Sequence, residues 1–223
     1  MKYNPISSAE IFNDLCEKIR KLELEPGERI SENEMAARYN VSRSTIRSAF
    51  SKLEQINVIE IYPQIGTFIS PLNMEYVYDS LYIRNLVEMD VLEDVIKLED
   101  KTALIETLRE NLKAQEQFRG NLDYDSKFEK IDHDFHYAIL ESVNRQSMMD
   151  ILKDSFIHIC RWRNFDIRCR KRISSLIDEH GLLAQAIEQN DVKLAKETMK
   201  RHILNFNDEY FNQLKKDYPN YFK

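Results

Sequence analysis

The C-terminal half of the sequence carries a carboxylate and three imidazoles at spacings that suit a metal site. Asp132 and His136 lie four residues apart, so a helix would present both on one face. His180 stands about ten residues before a turn signal at Asn190-Asp191 and His202 about twelve after it, nearly level across a helical hairpin. This donor set suits one Zn²⁺, Ni²⁺ or Mn²⁺ ion per chain, with positions left for water or a ligand carboxylate. Taken alone, the Asp132/His136 pair is better explained by a helix with polar residues turned to solvent.

A second set of residues, near the N-terminus, suits DNA. Arg43 and Arg47 lie four residues apart at the start of a predicted helix that Ser42 caps. The free backbone amides at such a helix end attract phosphate, and arginine pairs with guanine in the major groove. The alternative is a solvent-facing helix with ordinary surface arginines.

Length and composition indicate a folded two-domain protein. The chain has 223 residues, of which 43% are hydrophobic and 31% charged. It has no apolar run of membrane-spanning length and no signal-peptide pattern, so we expect a cytoplasmic protein without membrane contact. Three cysteines, none in a C-x-x-C pair, argue against a disulfide framework and a thiolate zinc site.

The charge balance argues against a broadly basic DNA-binding domain. The net charge is −6, and residues 1–72 hold nine Lys/Arg against ten Asp/Glu. Any DNA contact therefore depends on a local cluster of positive groups.

Helical periodicity and turn residues predict the elements that position these sites. The first 71 residues read as three helices followed by a β-hairpin around Pro63–Gly66, a winged helix-turn-helix. Residues 72–223 read as an all-α antiparallel bundle of six or seven helices, with turns at Gly120, Asn144 and Asn190-Asp191. The predicted helices are residues 75–98, 102–119, 125–143, 146–164, 173–189 and 191–215. The fold class is therefore mainly α, with domains 1–71 and 72–223.

Residues 10–70 resemble the GntR family of bacterial transcription regulators. The resemblance is carried by three strings: Leu24-x-Pro26-Gly27-x-x-Ile30-x-Glu32-x-x-Met35-Ala36, Val41-Ser42-Arg43-x-x-Ile46-Arg47-x-Ala49-Phe50-x-x-Leu53, and Gly66-Thr67-Phe68-Ile69. It implies DNA contacts from the recognition helix and the wing tip, namely Ser42, Arg43, Ser44, Thr45, Arg47, Gly66 and Thr67. The chain departs from the family at Asn33, where an arginine is common, and at Gln64 and Ile65, where the wing often carries a basic residue.

Residues 75–212 resemble the ligand-binding FCD domain of FadR-type regulators, in its metal-binding form. The matching strings are Asp132-x-x-Phe135-His136-x-x-Ile139, Glu179-His180-x-x-Leu183 and Ala195-x-x-x-Met199-x-x-His202. The resemblance implies that Asp132, His136, His180 and His202 are the metal ligands. It also implies that Arg84 faces the cavity and pairs with an effector carboxylate, a role that suits a bidentate guanidinium.

Other charged residues have plainer interpretations. Arg84 could instead form an exposed pair with Glu88, four residues on. His133 and His158 are interpreted as surface or core residues, and the basic run over residues 161–172 as a solvated helix end. Trp162, within that run, is expected to anchor the core.

The function predicted from these residues is that of a transcription regulator, not an enzyme. A homodimer would bind a palindromic double-stranded DNA operator, and a small organic acid bound at the metal would change the affinity for DNA. The resemblance implies repression relieved by the ligand. The alternatives are a metal-dependent hydrolase and a metal-ion sensor, each with a DNA-binding domain.

Overall fold

A computed structural model describes residues 6–121, 126–205 and 207–223. The chain forms two compact units. Unit 1 comprises Met1–Met74, Cys160–Trp162 and Asp208–Lys223, and unit 2 comprises Glu75–Ile159 and Arg163–Asn207. Three stretches of the predicted second domain thus belong to unit 1, namely residues 72–74, Cys160–Trp162 and Asp208–Lys223. The domain boundary after residue 71 stays a prediction.

Three helices and a small sheet build the N-terminal part of unit 1. The helices are α1 (Ser8–Arg20), α2 (Glu32–Tyr39) and α3 (Arg43–Gln55). Each begins at a serine, Ser7, Ser31 or Ser42, whose hydroxyl accepts from a free backbone N–H of the first turn. Asn40 adopts a left-handed conformation, with φ of 53°, and ends α2 in a tight turn before α3.

The sheet has one strand more than the sequence predicted. Its strands are β1 (Arg29–Ile30), β2 (Ile59–Tyr62) and β3 (Gly66–Ile69), in the order β1-β3-β2, and both pairings are antiparallel. The β2–β3 hairpin is the predicted wing. The strand β1 has only two residues, too few for the alternation that would have indicated it.

The C-terminal residues pack within unit 1. Leu72 accepts from the backbone of Lys223 and donates to the carbonyl of Tyr221. Trp162 is 5% exposed and contacts two phenylalanine rings, Phe211 and Phe222, which confirms that it anchors a core. Phe211 comes from the helix α11 (Asp208–Asp217).

The described residues of unit 2 form helices connected by short turns. Its helices are α4 (Met74–Lys97), α5 (Thr102–Glu116), α6 (Ser126–Glu141), α7 (Ser147–Ile151), α8 (Lys153–Arg170), α9 (Ile173–Glu188) and α10 (Val192–Ile203). The mainly α fold class is therefore confirmed. None of the helices in the described ranges is long and apolar enough to cross a membrane.

Two predicted helices are divided. The segment 146–164 forms α7 and α8, and α8 continues to Arg170; the segment 191–215 forms α10 and α11. The predicted turn residues Gly120, Asn144 and Asn190 all have positive φ. No proline or glycine marks the two divisions, so sequence periodicity alone could not locate them.

The interpretation of the basic run as a solvated helix end is wrong. Arg161 is completely buried and donates to the carbonyl and hydroxyl of Ser70, while the side chains of Arg163 and Arg172 are 14% and 11% exposed. Arg168 and Lys171 alone are exposed within the run. A run of like charges can be buried when its partners come from elsewhere in the chain.

The core of unit 1 predicts a strong effect of one substitution. Phe50 in α3 is 1% exposed, so Phe50→Ala should lower the free energy of unfolding by about 3–5 kcal/mol through lost burial and a cavity. Urea denaturation followed by circular dichroism measures this change. The neighbouring exposed Ser51→Ala is the control, and equal effects of the two variants would contradict the proposed core.

Candidate metal centre and DNA-binding surface

Four side chains from three helices of unit 2 converge. Asp132 and His136 come from α6, His180 from α9 and His202 from α10, and one ligand atom of each lies within 4.8 Å of all the others. All four residues are buried, none more than 3% exposed. The Nε2 atom of His202 lies 3.1 Å from that of His136 and 3.3 Å from that of His180.

Two of the imidazoles are oriented by carboxylates. Glu88 on α4 places Oε2 2.6 Å from Nδ1 of His136, and Glu179 on α9 places Oε2 2.9 Å from Nδ1 of His202. A carboxylate only accepts hydrogen bonds, so each Nδ1 is the donor and carries the ring proton. The Nε2 atoms of both rings therefore present lone pairs.

The third imidazole is oriented by a chain of two amides. Asn111 donates from Nδ2 to the carbonyl of Ile131, which leaves its Oδ1 to accept from Nε2 of Gln115 at 2.6 Å. Gln115 then presents Oε1 to Nδ1 of His180 at 2.7 Å. His180 must donate to that oxygen, so its Nε2 is also unprotonated.

This arrangement fits a divalent cation. Three neutral imidazoles turn unprotonated Nε2 atoms toward one point, where a bound cation would relieve the repulsion of the lone pairs. Burial lowers the pKa of His136, although Glu88 acts in the opposite direction. Burial and the neighbouring imidazoles lower the pKa values of His180 and His202 further. Neutral imidazole is the form that ligates metals.

Asp132 completes the donor set while bound to an arginine. Arg163 on α8 donates from Nη1 to Oδ2 at 2.7 Å and, more weakly, from Nη2 to Oδ1 at 3.3 Å. Burial would raise the pKa of Asp132, but the Arg163 guanidinium holds it well below its usual range. Oδ1, which lies 3.7 Å from Nε2 of His180, can therefore face a metal while Oδ2 keeps the arginine.

Guanidinium groups also accompany the carboxylates that orient the imidazoles. Arg84 donates to Oε1 of Glu88 at 2.5 Å, and Arg172 donates to Oε2 of Glu179 at 3.2 Å. A buried carboxylate without a cationic partner is strongly destabilising, so these arginines make the centre compatible with a folded core.

The remaining residues singled out in the sequence lie in different surroundings. Arg84 does pair with Glu88, but the pair is buried, with side chains 4% and 3% exposed, and not the exposed alternative. His133 is exposed, and His158 is buried with its ring against that of Tyr76. The three cysteines are free thiols.

Residues of unit 1 form a concave surface between α2, α3 and the wing, and the cavity that it encloses has a volume of about 400 Å³. Its lining contains three arginines, Arg29, Arg43 and Arg47, and one carboxylate, Glu32. The surface, called here the arginine surface, therefore carries a net charge of +2 in a chain of net charge −6. It is the kind of local positive cluster that DNA binding by this chain requires.

Glu32 holds the two recognition-helix arginines side by side. Arg47 donates from Nε and Nη2 to the two carboxylate oxygens of Glu32, both at 2.9 Å, and Arg43 donates to Oε2 at 3.2 Å. The side chains of Arg43 and Arg47 are 60% and 64% exposed. The two arginines thus point outward together from one end of α3.

The other residues that the family resemblance implied for DNA surround this end. The hydroxyl of Ser42 accepts from the amide of Thr45 and lies 2.7 Å from the hydroxyl of Ser44. Gly66 begins β3 with φ of 148°, whereas Thr67 is only 8% exposed. Two residues of the surface, Arg29 and Glu32, were not predicted; Arg29 belongs to the two-residue strand, and Glu32 appeared only within the family motif.

A winged helix-turn-helix with outward arginines, joined to a helical unit with a buried carboxylate–imidazole cluster, defines the class of bacterial DNA-binding regulators. Residues 7–69 match the family of bacterial regulatory proteins named gntR, and residues 79–205 match the FCD domain. The chain belongs to the GntR family, in the FadR-type group that carries an FCD domain, and is a DNA-binding transcription regulator.

Relatives of similar length support this assignment. The chain is 29% identical to an uncharacterized HTH-type transcriptional regulator of Streptomyces ambofaciens, over 87% of this chain and 80% of the relative. It is 25% identical to the HTH-type transcriptional repressor RspR of Escherichia coli, over 87% and 84%. Its fold is similar to that of Escherichia coli McbR/YncC, with a TM-score of 0.64, 17% identity and coverage of 95% and 98%.

The buried imidazoles predict a pH dependence of stability in the metal-free protein. Their folded pKa values lie below 6.5, so the unfolded chain binds more protons as the pH falls below that value, and stability should decrease from about pH 6.5 downward. Glu179 and Asp166 act in the opposite direction, because burial raises the pKa of both carboxyls despite neighbouring arginines, but they are two groups against three.

Urea denaturation in chelator between about pH 7.5 and about pH 5.5 measures this dependence. The exposed His133→Gln should leave the slope unchanged, and His180→Gln should reduce it. A free energy of unfolding that stays constant or increases as the pH falls from about 7.5 to about 5.5 would contradict burial of neutral imidazoles.

Proposed function

We propose that this protein is a repressor that binds a palindromic operator as a homodimer and is controlled by a small organic acid at a metal centre. The observation that supports the proposal most directly is the set of three unprotonated Nε2 atoms and one carboxylate, Asp132, facing one point. The arginine surface in the same chain would bind the operator.

Asp132, His136, His180 and His202 would hold one Zn²⁺, Ni²⁺ or Mn²⁺ ion. A bound divalent ion supplies a Lewis acid that attracts the carboxylate of an effector. Arg84 would contribute a second attraction for that carboxylate, from a guanidinium whose Nε is already bound to Glu88. An ion that prefers six ligands would keep positions free for the acid, whereas a four-coordinate ion would have none to spare.

Control of the operator follows from linkage. If the acid binds more tightly to the form of the protein with the weaker grip on DNA, DNA and acid each reduce affinity for the other by the same factor. Two relatives favour repression by their names: RspR, and the gluconate operon transcriptional repressor of Bacillus subtilis, 24% identical over 83% of this chain and 76% of the relative. The second name also makes sugar acids the first ligands to try.

A metal-ion sensor is the second candidate. It is favoured by the burial of all four donors, none of which is more than 3% exposed, because closed coordination leaves little access for a second ligand. Operator binding of chelated protein, titrated with Zn²⁺, Ni²⁺ and Mn²⁺ and then with sugar acids and hydroxy acids, separates the two. A response to the ion with none to the acids would favour the sensor, and hydrolysis of small esters or amides would favour an enzyme.

Selection from a pool of random duplexes provides the operator and tests the recognition helix. Arg47→Ala should weaken binding to the selected duplex by about tenfold and relax preference at one base pair, since arginine reads guanine there. Fluorescence anisotropy measures the affinity. Arg38→Ala, an exposed arginine on α2 outside the arginine surface, is the matched control. Equal affinities of Arg47→Ala and the wild-type protein would exclude this reading role.

Substitution of Glu88 tests the metal centre without replacing any of the four proposed metal ligands. Glu88→Gln keeps the shape but can present an amide N–H to His136, so Zn²⁺ affinity should fall by about 10–100-fold. Competition with a chromophoric chelator measures the affinity. Glu93→Gln, on the same helix α4 and bound to Lys196, should leave it unchanged. A Zn²⁺ affinity equal to that of the wild-type protein would contradict the proposed role of Glu88.

A further inference from the structure

The wing turn of this protein carries no charge. Gln64 and Ile65 lie between β2 and β3, where they form the tip with Pro63. Contacts to DNA phosphates fix the register of a protein on the duplex and come largely from cationic side chains. A cation at this tip has to come from another segment of unit 1.

Arg29 of β1 lies against the turn. Its Nη2 donates to the carbonyl of Ile65 at 2.9 Å, although the two residues are 36 positions apart. In the sheet Arg29 is paired with Phe68, and its side chain is exposed while that of Ile30 is buried. The guanidinium therefore lies on the outer side of the wing, within the arginine surface.

Gly66 leaves the room that this guanidinium occupies. A Cβ atom at Gly66 would stand 2.8 Å from Nε and 3.3 Å from Nη2 of Arg29. Real Cβ atoms do not approach so closely, so any side chain at position 66 would displace Arg29. The position of Arg29 against the wing therefore depends on the glycine at position 66.

The charge of Arg29 is also available. Among the residues that the structure describes, it donates to a carbonyl and is paired with no carboxylate, whereas Arg43 and Arg47 share Glu32. A cation bound to a neutral carbonyl keeps its full charge and its remaining donors for an anion.

We propose that Arg29 contacts a DNA phosphate beside the wing and supplies the positive charge that Gln64 and Ile65 lack. The bond to Ile65 holds the guanidinium against the wing and favours the backbone of the duplex over base edges on the groove floor. The proposal depends on DNA binding by unit 1, and not on the metal or the effector.

The test separates charge from support of the wing. Arg29→Gln removes the charge and keeps a donor for the Ile65 carbonyl, whereas Arg29→Lys keeps the charge. The affinity of the full-length protein is measured against salt concentration on duplexes of about 30 base pairs, long enough for two half-sites. One is the selected operator and one is unrelated. Arg20→Gln on α1, outside the arginine surface, is the control for net charge.

Each phosphate contact contributes about 0.9 to the steepness of log affinity against log salt, so a dimer that loses one contact in each half-site should lose about 1.8. We expect this change for Arg29→Gln on both duplexes, with affinity about fivefold weaker near 0.1 M salt. Arg29→Lys and Arg20→Gln should behave like the wild-type protein.

Three results would overturn the proposal. The first is an unchanged salt slope for Arg29→Gln; the second is an equal loss in Arg29→Lys, which would assign the effect to support of the wing. The third is a loss confined to one duplex, which would indicate a base contact. Failure of the wild-type protein to bind either duplex would instead contradict the regulator function itself, so the two failures are distinguishable.

Discussion

The hydrogen bonds at Nδ1 of three histidines are the constraint on which unit 2 depends. They fix the tautomer of each ring and turn the Nε2 atoms of His136, His180 and His202 toward one point. The acceptors come from α4, α5 and α9, so these helices must present polar side chains to the interior. The carboxylates among the acceptors, Glu88 and Glu179, then require buried arginines. A polar interior of this kind fits the proposed ion-binding centre, since an apolar core would be simpler to stabilise.

Unit 1 solves a different electrostatic problem. A chain of net charge −6 is repelled by DNA at long range, so its binding surface must concentrate positive charge locally. Three arginines meet there because β1 brings Arg29 beside the wing while α3 presents Arg43 and Arg47. The two elements differ in kind, because α3 is a capped helix of 13 residues and β1 is a strand of two. Their convergence is a property of the fold, and the near-neutral composition of residues 1–72 conceals it.

Local patterns predicted most of the fold, and long-range pairs escaped them. Serine caps and apolar periodicity located α1 to α3. The similar distances of His180 and His202 from the turn at Asn190-Asp191 predicted that these two side chains would meet. The partner of His136 lies 48 positions away, at Glu88, and no local pattern indicates such a pair. Arg163 was misread for the same reason: its carboxylate, Asp132, is 31 positions away. A run of charged residues therefore predicts a solvent-exposed segment only where its side chains have no ion-pair partners distant in the sequence.

The ion pairs of the two units differ in what they allow. The pairs of Glu32 with Arg43 and Arg47 are exposed, so water and salt weaken them and a DNA phosphate or base can replace the carboxylate at little cost. Glu32 therefore orients Arg43 and Arg47 without preventing them from binding another anion. The pairs of Glu88 with Arg84 and of Asp132 with Arg163 are buried, and separating either would leave an uncompensated charge in the interior. Exchange of partners thus suits the arginine surface that we propose binds DNA, and fixed geometry suits the proposed metal centre.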